Sequence, residues 1–217
     1  MRWRCRGTRR GRRAGSRRTD GPDSRSEPPG GRATRAPARL HSTLVTIDDE
    51  WPVPESLAAD RLVLEPLRVE HAEEMAVVLD DPALHTYTGG TPATLEELRS
   101  RYGRQVAGPP ADESERWLNW IVRRRADERA IGYVQATITS EATGPSAEVA
   151  WVIGTGYQGC GYAVEAAGRA VGWLREQDVE TIVAHVHPEH LASMAVARRI
   201  GLHPTDRMVD GEIRWEG

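Results

Sequence analysis

The sequence predicts an α+β domain with a mixed sheet, in which one strand–helix–strand crossover is parallel and the other strand neighbours are antiparallel. Apolar residues alternate at strand period over residues 148–153 and recur at helical spacing over 163–174, with four glycines between the two segments. Two consecutive strands precede this unit, and a strand, a helix and a hairpin follow it. This order is typical of a mostly antiparallel sheet that contains one parallel pair.

The individual elements can be placed in order from residue 61. Thr94 with Glu97 three residues later forms a capping box, which predicts the start of a helix at residue 95. Gly201 is suited to a helix C-terminus, and Asp210 with Gly211 is suited to a hairpin turn. The predicted elements are a strand over 61–66, helices over 69–79 and 95–106, strands over 117–122, 131–139 and 147–153, the central helix to 174, a strand over 181–186, a helix over 191–200 and the closing hairpin.

The first 39 residues differ sharply in charge from the rest of the chain. They contain 13 arginines and three acids, against 16 arginines and 29 acids in residues 40–217, so the two parts carry net charges of about +10 and −13. With few apolar residues, the segment 1–39 cannot offset its chain entropy by burial and is predicted to be disordered. It is interpreted as a dispensable or misassigned extension, a nonspecific polyanion-binding arm, or a targeting segment. Residues 40–59 are predicted to be a linker, and residues 60–217 the folded domain.

Composition restricts the class of protein. The sequence contains no apolar run near the roughly 18 residues that a membrane-spanning helix needs, so a soluble, cytoplasmic protein that does not bind membrane is expected. The two cysteines, Cys5 and Cys160, are too few for a disulfide framework or a cysteine metal site. The expected oligomeric state is a monomer or homodimer.

The glycine-rich segment between the central strand and helix predicts an anion site. The first N–H groups of a helix lack intrahelical acceptors, and the helix dipole is positive at that end. Gly154, Gly156 and Gly159 match the dinucleotide fingerprint G-x-G-x-x-G. That fingerprint also needs an acid at the far end of the next strand, where this sequence has His187 and Pro188. The dinucleotide interpretation is therefore the weaker alternative.

A second pattern is present in the same segment. Residues 158–163 read Gln-Gly-Cys-Gly-Tyr-Ala and fit Q/R-x-x-G-x-G/A, the pyrophosphate loop of the GCN5-related N-acetyltransferase (GNAT) family. The resemblance extends over residues 61–215, and residues 61–67 resemble the first strand of the branch that includes the ribosomal-protein N-terminal acetyltransferases. It implies a three-layer α/β/α fold, acetyl-coenzyme A as co-substrate without a metal, and an acceptor that is a small-molecule amine or a protein N-terminus.

The resemblance also implies which residues bind the cofactor. Backbone N–H groups of the loop would hold the pyrophosphate, with the Gln158 side chain closing the loop. Strand backbone would bind the pantetheine arm where two parallel strands splay apart. Cys160 stands where relatives often have Arg or Lys, and His190 where they have Asn. The implied cofactor-binding residues are Trp151, Val152, Ile153, Gln158, Gly159, Cys160, Gly161, Tyr162, Ala163, His190 and Ser193.

Two residues are candidates for the proton steps of acetyl transfer. Glu148 is the one acid within the predicted central strand and could accept the amine proton if partial burial raises its pKa. The alternative is a solvated strand residue or an ion pair. Ser193 lies where the branch often places a serine near the cofactor sulfur, and it could donate to the departing thiolate. Ala197 excludes the tyrosine acid that other branches have at its position.

Other interpretations stay open. His185, His187 and His190 could be metal ligands, but no carboxylate cluster accompanies them and no metal is expected. Residues 84–90 are a candidate acceptor loop or an ordinary surface turn. The predicted function is acetyl transfer to a primary amine by direct attack in a ternary complex. Its rival is a coenzyme-A-binding module without catalysis.

Overall fold

A computed structural model describes residues 51–87, 89–110, 114–141 and 144–217. The predictions for the Arg-rich segment 1–39 and for residues 40–50 lie outside the described residues.

One sheet of eight strands organises the described chain, in the order β1-β2-β3-β4-β5-β6-β8-β7. Only β5 and β6 are parallel neighbours, and the other adjacent pairs are antiparallel. The predicted α+β fold with one parallel crossover is therefore confirmed. The strands are β1 (Leu57–Ala58), β2 (Leu62–Pro66), β3 (Glu115–Arg124), β4 (Arg129–Glu141), β5 (Gly144–Ile153), β6 (Thr181–Val186), β7 (His203–Val209) and β8 (Glu212–Glu216).

Four α-helices and three short 3₁₀ turns connect these strands. The capping box predicted for α2 is confirmed, because Thr94 Oγ1 accepts from the Glu97 N–H at 3.3 Å and the Glu97 carboxylate accepts from the Thr94 N–H at 2.8 Å. No helix in the described ranges is both long and apolar enough to cross a bilayer. The helices are α1 (Ala72–Val78), α2 (Leu95–Ala107), α3 (Tyr162–Glu176) and α4 (Leu191–Arg199), and the 3₁₀ turns are Val69–His71, Pro82–His85 and Thr155–Tyr157.

The two faces of the sheet carry cores of different size. Side chains alternate between the faces of a strand, so Trp120 of β3 packs with α3 and α4 whereas Ile121 packs with α1 and α2. Among the described residues, the α3–α4 side contains a cluster of 29 buried residues. The α1–α2 side has six, namely Ala72, Met75, Leu98, Tyr102, Ile121 and Ala130. The helices α1 and α2 are therefore held by a much smaller apolar contact than α3 and α4.

The segment before β2 corrects the linker prediction. Leu57 and Ala58 pair with β2 as an edge strand, and Leu57 is fully buried. Glu55 accepts two indole N–H groups, from Trp120 at its carbonyl oxygen at 2.9 Å and from Trp173 at Oε1 at 2.7 Å. Since buried indole nitrogens need acceptors, this segment completes the core rather than linking to it. The prediction of a linker to residue 59 is wrong for residues 55–58. Pro52, Pro54 and the polar residues near them indicate a linker, and a strand of two residues is too short to leave a periodic pattern.

Candidate active site

The parallel strands β5 and β6 separate partway along their length. Their paired positions are Ser146 with Thr181, Ala147 with Ile182 and Glu148 with Val183. Beyond Glu148, β5 continues to Ile153 and β6 to Val186, so backbone groups that face the gap are left outside the described ladder. Trp151, Val152 and Ile153 lie in this open part. The splayed pair that the resemblance implies is therefore present.

The glycine-rich loop follows β5 at the edge where the strands have separated. The Gln158 side-chain amide donates to the Ile153 carbonyl at 2.9 Å, which ties the loop to the end of the strand. Gly159 and Gly161 have φ of 75° and 80°, a left-handed conformation that side chains disfavour. Gly161 is the N-cap of α3, so the N–H groups of Tyr162 and Ala163 lack intrahelical acceptors. Free amides at the positive end of a helix form a site for a phosphate group.

Arg61, which precedes β2, fixes this loop from the other side. Its Nη1 donates to the Cys160 carbonyl at 3.0 Å, and its guanidinium lies 4.6 Å from the centre of the Tyr162 ring. Glu165, in the first turn of α3, accepts from Arg61 Nε at 2.7 Å and from the Arg61 backbone N–H at 2.6 Å. The sequence showed Arg61 only as the start of a strand motif. In the structure, the Arg61 guanidinium contacts this loop at Cys160. The resemblance implies an Arg or Lys at the position of Cys160, so Arg61 brings a positive charge to a loop that lacks that residue.

The N-terminus of α4 lies at the same edge of the sheet, because β5 and β6 are parallel and both lead into helices there. His190 is the N-cap of α4, and its Nδ1 accepts from the Ser193 N–H at 3.5 Å. Burial and the neighbouring His187 lower the pKa of His190, which favours the neutral ring. The imidazole thus caps the helix where the resemblance implies an asparagine.

The predicted acceptor loop reaches this helix. Tyr87, from the segment after α1, stacks on His190 with ring centres 4.3 Å apart and lies 5.2 Å from His187. At the start of the same segment, Asp81 accepts from the Thr155 hydroxyl at 2.6 Å. This bond lowers the pKa of Asp81 and connects the residues just before the loop to the turn after β5. The loop itself reaches the N-terminus of α4 through Tyr87.

Glu148 occupies the last paired position before the gap and has a specific partner. Its Oε1 lies 3.0 Å from His185 Nδ1 on β6. The Glu148 side chain is 56% exposed, more open than the sequence interpretation assumed, and that of His185 is 14% exposed. Sequence analysis considered His185 only as a metal ligand. Within the described ranges, no group of three or more His, Cys, Asp or Glu side chains is arranged to hold a metal ion.

A cleft opens between α2 and the face of the sheet that carries Glu148. Its outer part has a volume of about 250 Å³, and an inner end of about 60 Å³ shares four lining residues with it, Arg101, Gln105, Asn119 and Gln135. The hydroxyl of Tyr102, which lines the inner end, is buried and has no hydrogen-bond partner among the described residues. Burial also raises the pKa of Tyr102. The outer part is lined by Arg101, Arg104, Gln105, Trp117, Asn119 and Gln135, together with Ala136 and Thr137.

Sequence reasoning missed this set of residues, although it leaves a periodic signal. Arg101, Arg104 and Gln105 have the i, i+3, i+4 spacing of one helix face. Trp117 and Asn119 have the i, i+2 spacing of one strand face, as do Gln135 and Thr137. The periodicity places the members of each element on one face. It does not show that the three faces meet.

A sheet split beside a glycine-rich anion site, with a cleft on the neighbouring face, is suited to a protein that binds a phosphate-containing cofactor between strands and a second ligand beside it. A family model described as "Acetyltransferase (GNAT) domain" matches residues 61–203, well over half of the 217 residues. The chain therefore belongs to the GNAT acetyltransferase family. As an N-acetyltransferase, it uses acetyl-coenzyme A to acetylate amines.

Solved structures show the same fold at low sequence identity. Mycobacterium smegmatis RimJ in complex with CoA-disulfide has a TM-score of 0.62 at 18% identity, over 76% of this chain and 87% of RimJ. An acetyltransferase from Agrobacterium tumefaciens has a TM-score of 0.57 at 25% identity, over 77% and 95% of the two chains. Spermidine N-acetyltransferase from Vibrio cholerae, in complex with CoA and spermine, has a TM-score of 0.57 at 20% identity, over 72% and 93%. No curated protein matches the sequence.

Family membership overturns the dinucleotide interpretation. Gly154 precedes the 3₁₀ turn Thr155–Tyr157 and Gly156 lies within it, whereas α3 begins only at Tyr162. These two glycines therefore do not present a helix N-terminus to a ligand, as the fingerprint requires. The sheet also has a single parallel pair rather than a run of parallel strands.

Proposed function

We propose that this enzyme transfers the acetyl group of acetyl-coenzyme A directly to a primary amine while both substrates are bound. The observation that carries this proposal is the position of Glu148, at the last paired residue of β5 where the sheet opens and on the face that borders the cleft. The Glu148 carboxylate is therefore at the gap and, through its cross-strand neighbour Thr137, beside the cleft. An amine bound in the cleft can reach a thioester in the gap without an acyl-enzyme step.

The cofactor is assigned to the loop and the open strands. Amides from Gly159 to Ala163 face the pyrophosphate, and the β5 backbone at residues 151–153, which pairs with β4 on one side and is open toward β6 on the other, binds the pantetheine arm there. Positive φ at Gly159 and open space around its Cα position suit a backbone that approaches a ligand closely. Arg61 is proposed to position the loop by holding the Cys160 carbonyl and the first turn of α3.

Glu148 is proposed as the general base. The amine nitrogen forms a bond to the carbonyl carbon, the carbon–sulfur bond breaks, and the amine proton passes to the Glu148 carboxylate directly or through water. His185 Nδ1 lies 3.0 Å from the carboxylate, within the distance of a hydrogen bond. The buried Nε2 of the same ring has no hydrogen-bond partner among the described residues. His185 therefore orients the carboxylate at the mouth of the gap.

Ser193 is proposed to donate a proton or hydrogen bond to the thiolate that leaves. Its backbone N–H is held by His190, so the residue sits in the first turn of α4, beside the ends of the splayed strands. The side chain is partly exposed and can exchange protons with water. Water could replace this hydroxyl more easily than it could replace a carboxylate base.

The identity of the acceptor does not follow from the family. One structural relative is named for spermidine, but its 20% identity establishes a common fold only. A small-molecule amine and a protein N-terminus both remain candidates at this level. The membership in the ribosomal-protein N-terminal branch, a cytoplasmic location, polyanion binding by residues 1–39 and the monomeric or homodimeric state also remain predictions.

The test is consumption of acetyl-coenzyme A against a broad panel of amines, with the product identified by mass. Initial rates measured while both substrates are varied should give intersecting reciprocal plots, as a ternary complex requires. Parallel plots would indicate an acetylated enzyme instead. Coenzyme A binding by calorimetry without turnover of any amine would favour the rival, a binding module without catalysis.

A further inference from the structure

We propose that the acceptor is a small primary amine that also carries an anionic oxygen group, a carboxylate or a phosphate, and that Arg101 and Arg104 bind this group. The inference rests on the proposed function, because it uses the same cleft and the same carboxylate. It adds the chemical class of the acceptor, which neither the fold nor the family specifies.

The cleft lies beside the proposed base. Thr137 lines the outer part of the cleft and is the direct cross-strand neighbour of Glu148. Directly opposed residues have Cβ atoms about 5 Å apart. An amine placed at Glu148 therefore extends across β4 toward α2, and the first charged side chains lining that path belong to Arg101 and Arg104.

The two arginines are not neutralised by nearby acids. Within the described ranges, neither forms an ion pair, whereas Arg99 on the same helix binds Glu73 at 2.7 Å. Arg104 donates to the uncharged Ser100 hydroxyl at 2.9 Å. Among the described residues that line the cleft, none is acidic. Two guanidinium groups in one concave site, neither of them in an ion pair within the described ranges, favour an anion.

The acids that come nearest are engaged elsewhere. Glu97, whose charge acts on Arg101, accepts the backbone N–H and the hydroxyl of Thr94 in the capping box. Glu115 accepts the indole N–H of Trp117 at 2.8 Å. Both carboxylates are therefore held by hydrogen bonds away from the centre of the cleft. The chain has a net charge of −3, so the positive lining is a local feature rather than a property of the whole molecule.

The inner end of the cleft supplies a second, independent indication. The Tyr102 hydroxyl is buried there, on a residue only 5% exposed, and it has no partner among the described residues. A buried hydroxyl without a partner is costly, and an anionic oxygen would accept its hydrogen bond. A polyamine offers no such acceptor and would place further positive charge beside Arg101 and Arg104. The cleft therefore disfavours polyamines.

The experiment compares matched acceptors that differ in one anionic group. The probes are L-amino acids with their carboxamides, O-phosphoethanolamine with ethanolamine, and spermidine. We expect kcat/KM to be at least about 10-fold higher for the anionic member of the preferred pair, the size of a charge-assisted hydrogen bond. The pair with the larger difference in kcat/KM shows whether the acceptor carries a carboxylate or a phosphate. Arg101→Gln and Arg104→Gln should reduce this preference, because kcat/KM should fall more for the anionic member than for the uncharged one, whereas Arg99→Gln, the matched control on the same helix, should leave the preference as it is in the parent enzyme.

Equal kcat/KM for charged and uncharged members, or a preference for spermidine, would overturn the inference while the proposed function stands. If coenzyme A binds but no amine is acetylated, the proposed function fails. The anion subsite is then tested without turnover, by calorimetry of N-acetyl amino acids and their N-acetyl amides on the coenzyme-A-bound protein. Tighter binding of the carboxylates that is lost in Arg101→Gln supports the subsite, and equal binding refutes it.

Discussion

The proposed cofactor side and the proposed acceptor side of this enzyme are built from different parts of the polypeptide. On the proposed cofactor side, the groups assigned to the cofactor are backbone: open strand edges, two left-handed glycines and the first amides of α3. On the acceptor side, side chains from α2, β3 and β4 line a cleft. A backbone site tolerates many side-chain changes as long as the chain conformation is kept. The side-chain cleft can change its ligand through single substitutions.

The two sides also differ in how firmly they are held. The splayed strands and α3 belong to the cluster of 29 buried residues, whereas α1 and α2 rest on six. Regions with little buried apolar contact open more easily than the rest of a fold. The acceptor wall can therefore vary without disturbing the cofactor site. The following predictions test this separation.

The largest effect is expected at Glu148, where the two sides meet. Glu148→Gln keeps the size of the side chain and removes the base, so kcat should fall by about 10²-fold or more while coenzyme A affinity changes little. Stopped assays at saturating substrates measure kcat, and calorimetry measures the coenzyme A affinity. Glu180→Gln, at an exposed acid outside the site, is the control.

An unchanged kcat in Glu148→Gln would assign the proton to water or to the loop at residues 84–90. Ser193→Ala should lower kcat by less than Glu148→Gln does, because water can protonate the thiolate. A larger loss in Ser193→Ala would reverse the proposed order of importance.

A second prediction disturbs only the cofactor side. At Gly161, where φ is 80°, a side chain costs about 1–2 kcal/mol, and an added Cβ would lie 3.6 Å from Arg61 Nη2. Gly161→Val should therefore weaken coenzyme A binding by about 10-fold or more, while kcat at saturating cofactor stays near the parent value. Gly156→Ala is the matched control, since its added Cβ meets no atom within 4 Å. If calorimetry shows the parental coenzyme A affinity in a folded Gly161→Val variant, the loop does not bind the cofactor.

A smaller effect is expected at Arg61, which reaches the loop through one carbonyl. Arg61→Gln removes the ion pair with Glu165 and the bond to the Cys160 carbonyl, so coenzyme A affinity should fall about 3-fold to 10-fold. The matched control is Arg125→Gln, which removes a 3.0 Å bond to the Ala59 carbonyl instead. Equal affinities for the two variants would mean that Arg61 supports the fold and does not position the loop.

The smallest effect is a pH dependence of stability on the acceptor side. Burial lowers the pKa of His71, with Arg68 and Arg123 acting in the same direction and Glu65 and Glu74 opposing them. Because the folded-state pKa lies below 6.5, the unfolded chain binds the proton more readily. The contribution of His71 to the free energy of unfolding is therefore fully present above pH 6.5, and it is lost as the pH falls through the folded-state pKa. Denaturant unfolding at pH 7.5 and 5.5 should show a smaller loss for His71→Asn than for the parent. The loss that remains is assigned in part to His190, whose pKa is also lowered.

The sequence predicts features that depend on neighbouring residues and misses those that depend on contacts across the sheet. The capping box at Thr94, the hairpin at Gly211 and the left-handed glycines of the loop are local patterns, and each is present in the structure. The contact between Glu148 and His185 depends on the parallel register of β5 and β6, which no short segment encodes. The contact of Arg61 with the loop joins residues 99 positions apart.

The acceptor cleft illustrates the same limit in another way. Arg101 and Gln135 each lie on a face that periodicity defines, yet their meeting requires α2 to pack on the side of the sheet opposite α3. That choice is made by a few apolar residues such as Leu98 and Ile121, which look like any other buried pair in the sequence. The acceptor cleft therefore becomes visible only when the whole fold is assembled.

The gap between β5 and β6 makes this protein prone to unwanted association when the cofactor is missing. The gap exposes two strand edges in the middle of the sheet, and exposed edges recruit extended segments from other chains. The pantetheine arm contains amide groups and can satisfy these edges as a third strand would. Cofactor-free protein should therefore aggregate faster on storage than the coenzyme-A-bound form. Amide hydrogen exchange at residues 150–153 should slow when coenzyme A binds, because the cofactor then covers backbone N–H and C=O groups that could otherwise pair with a strand of another chain.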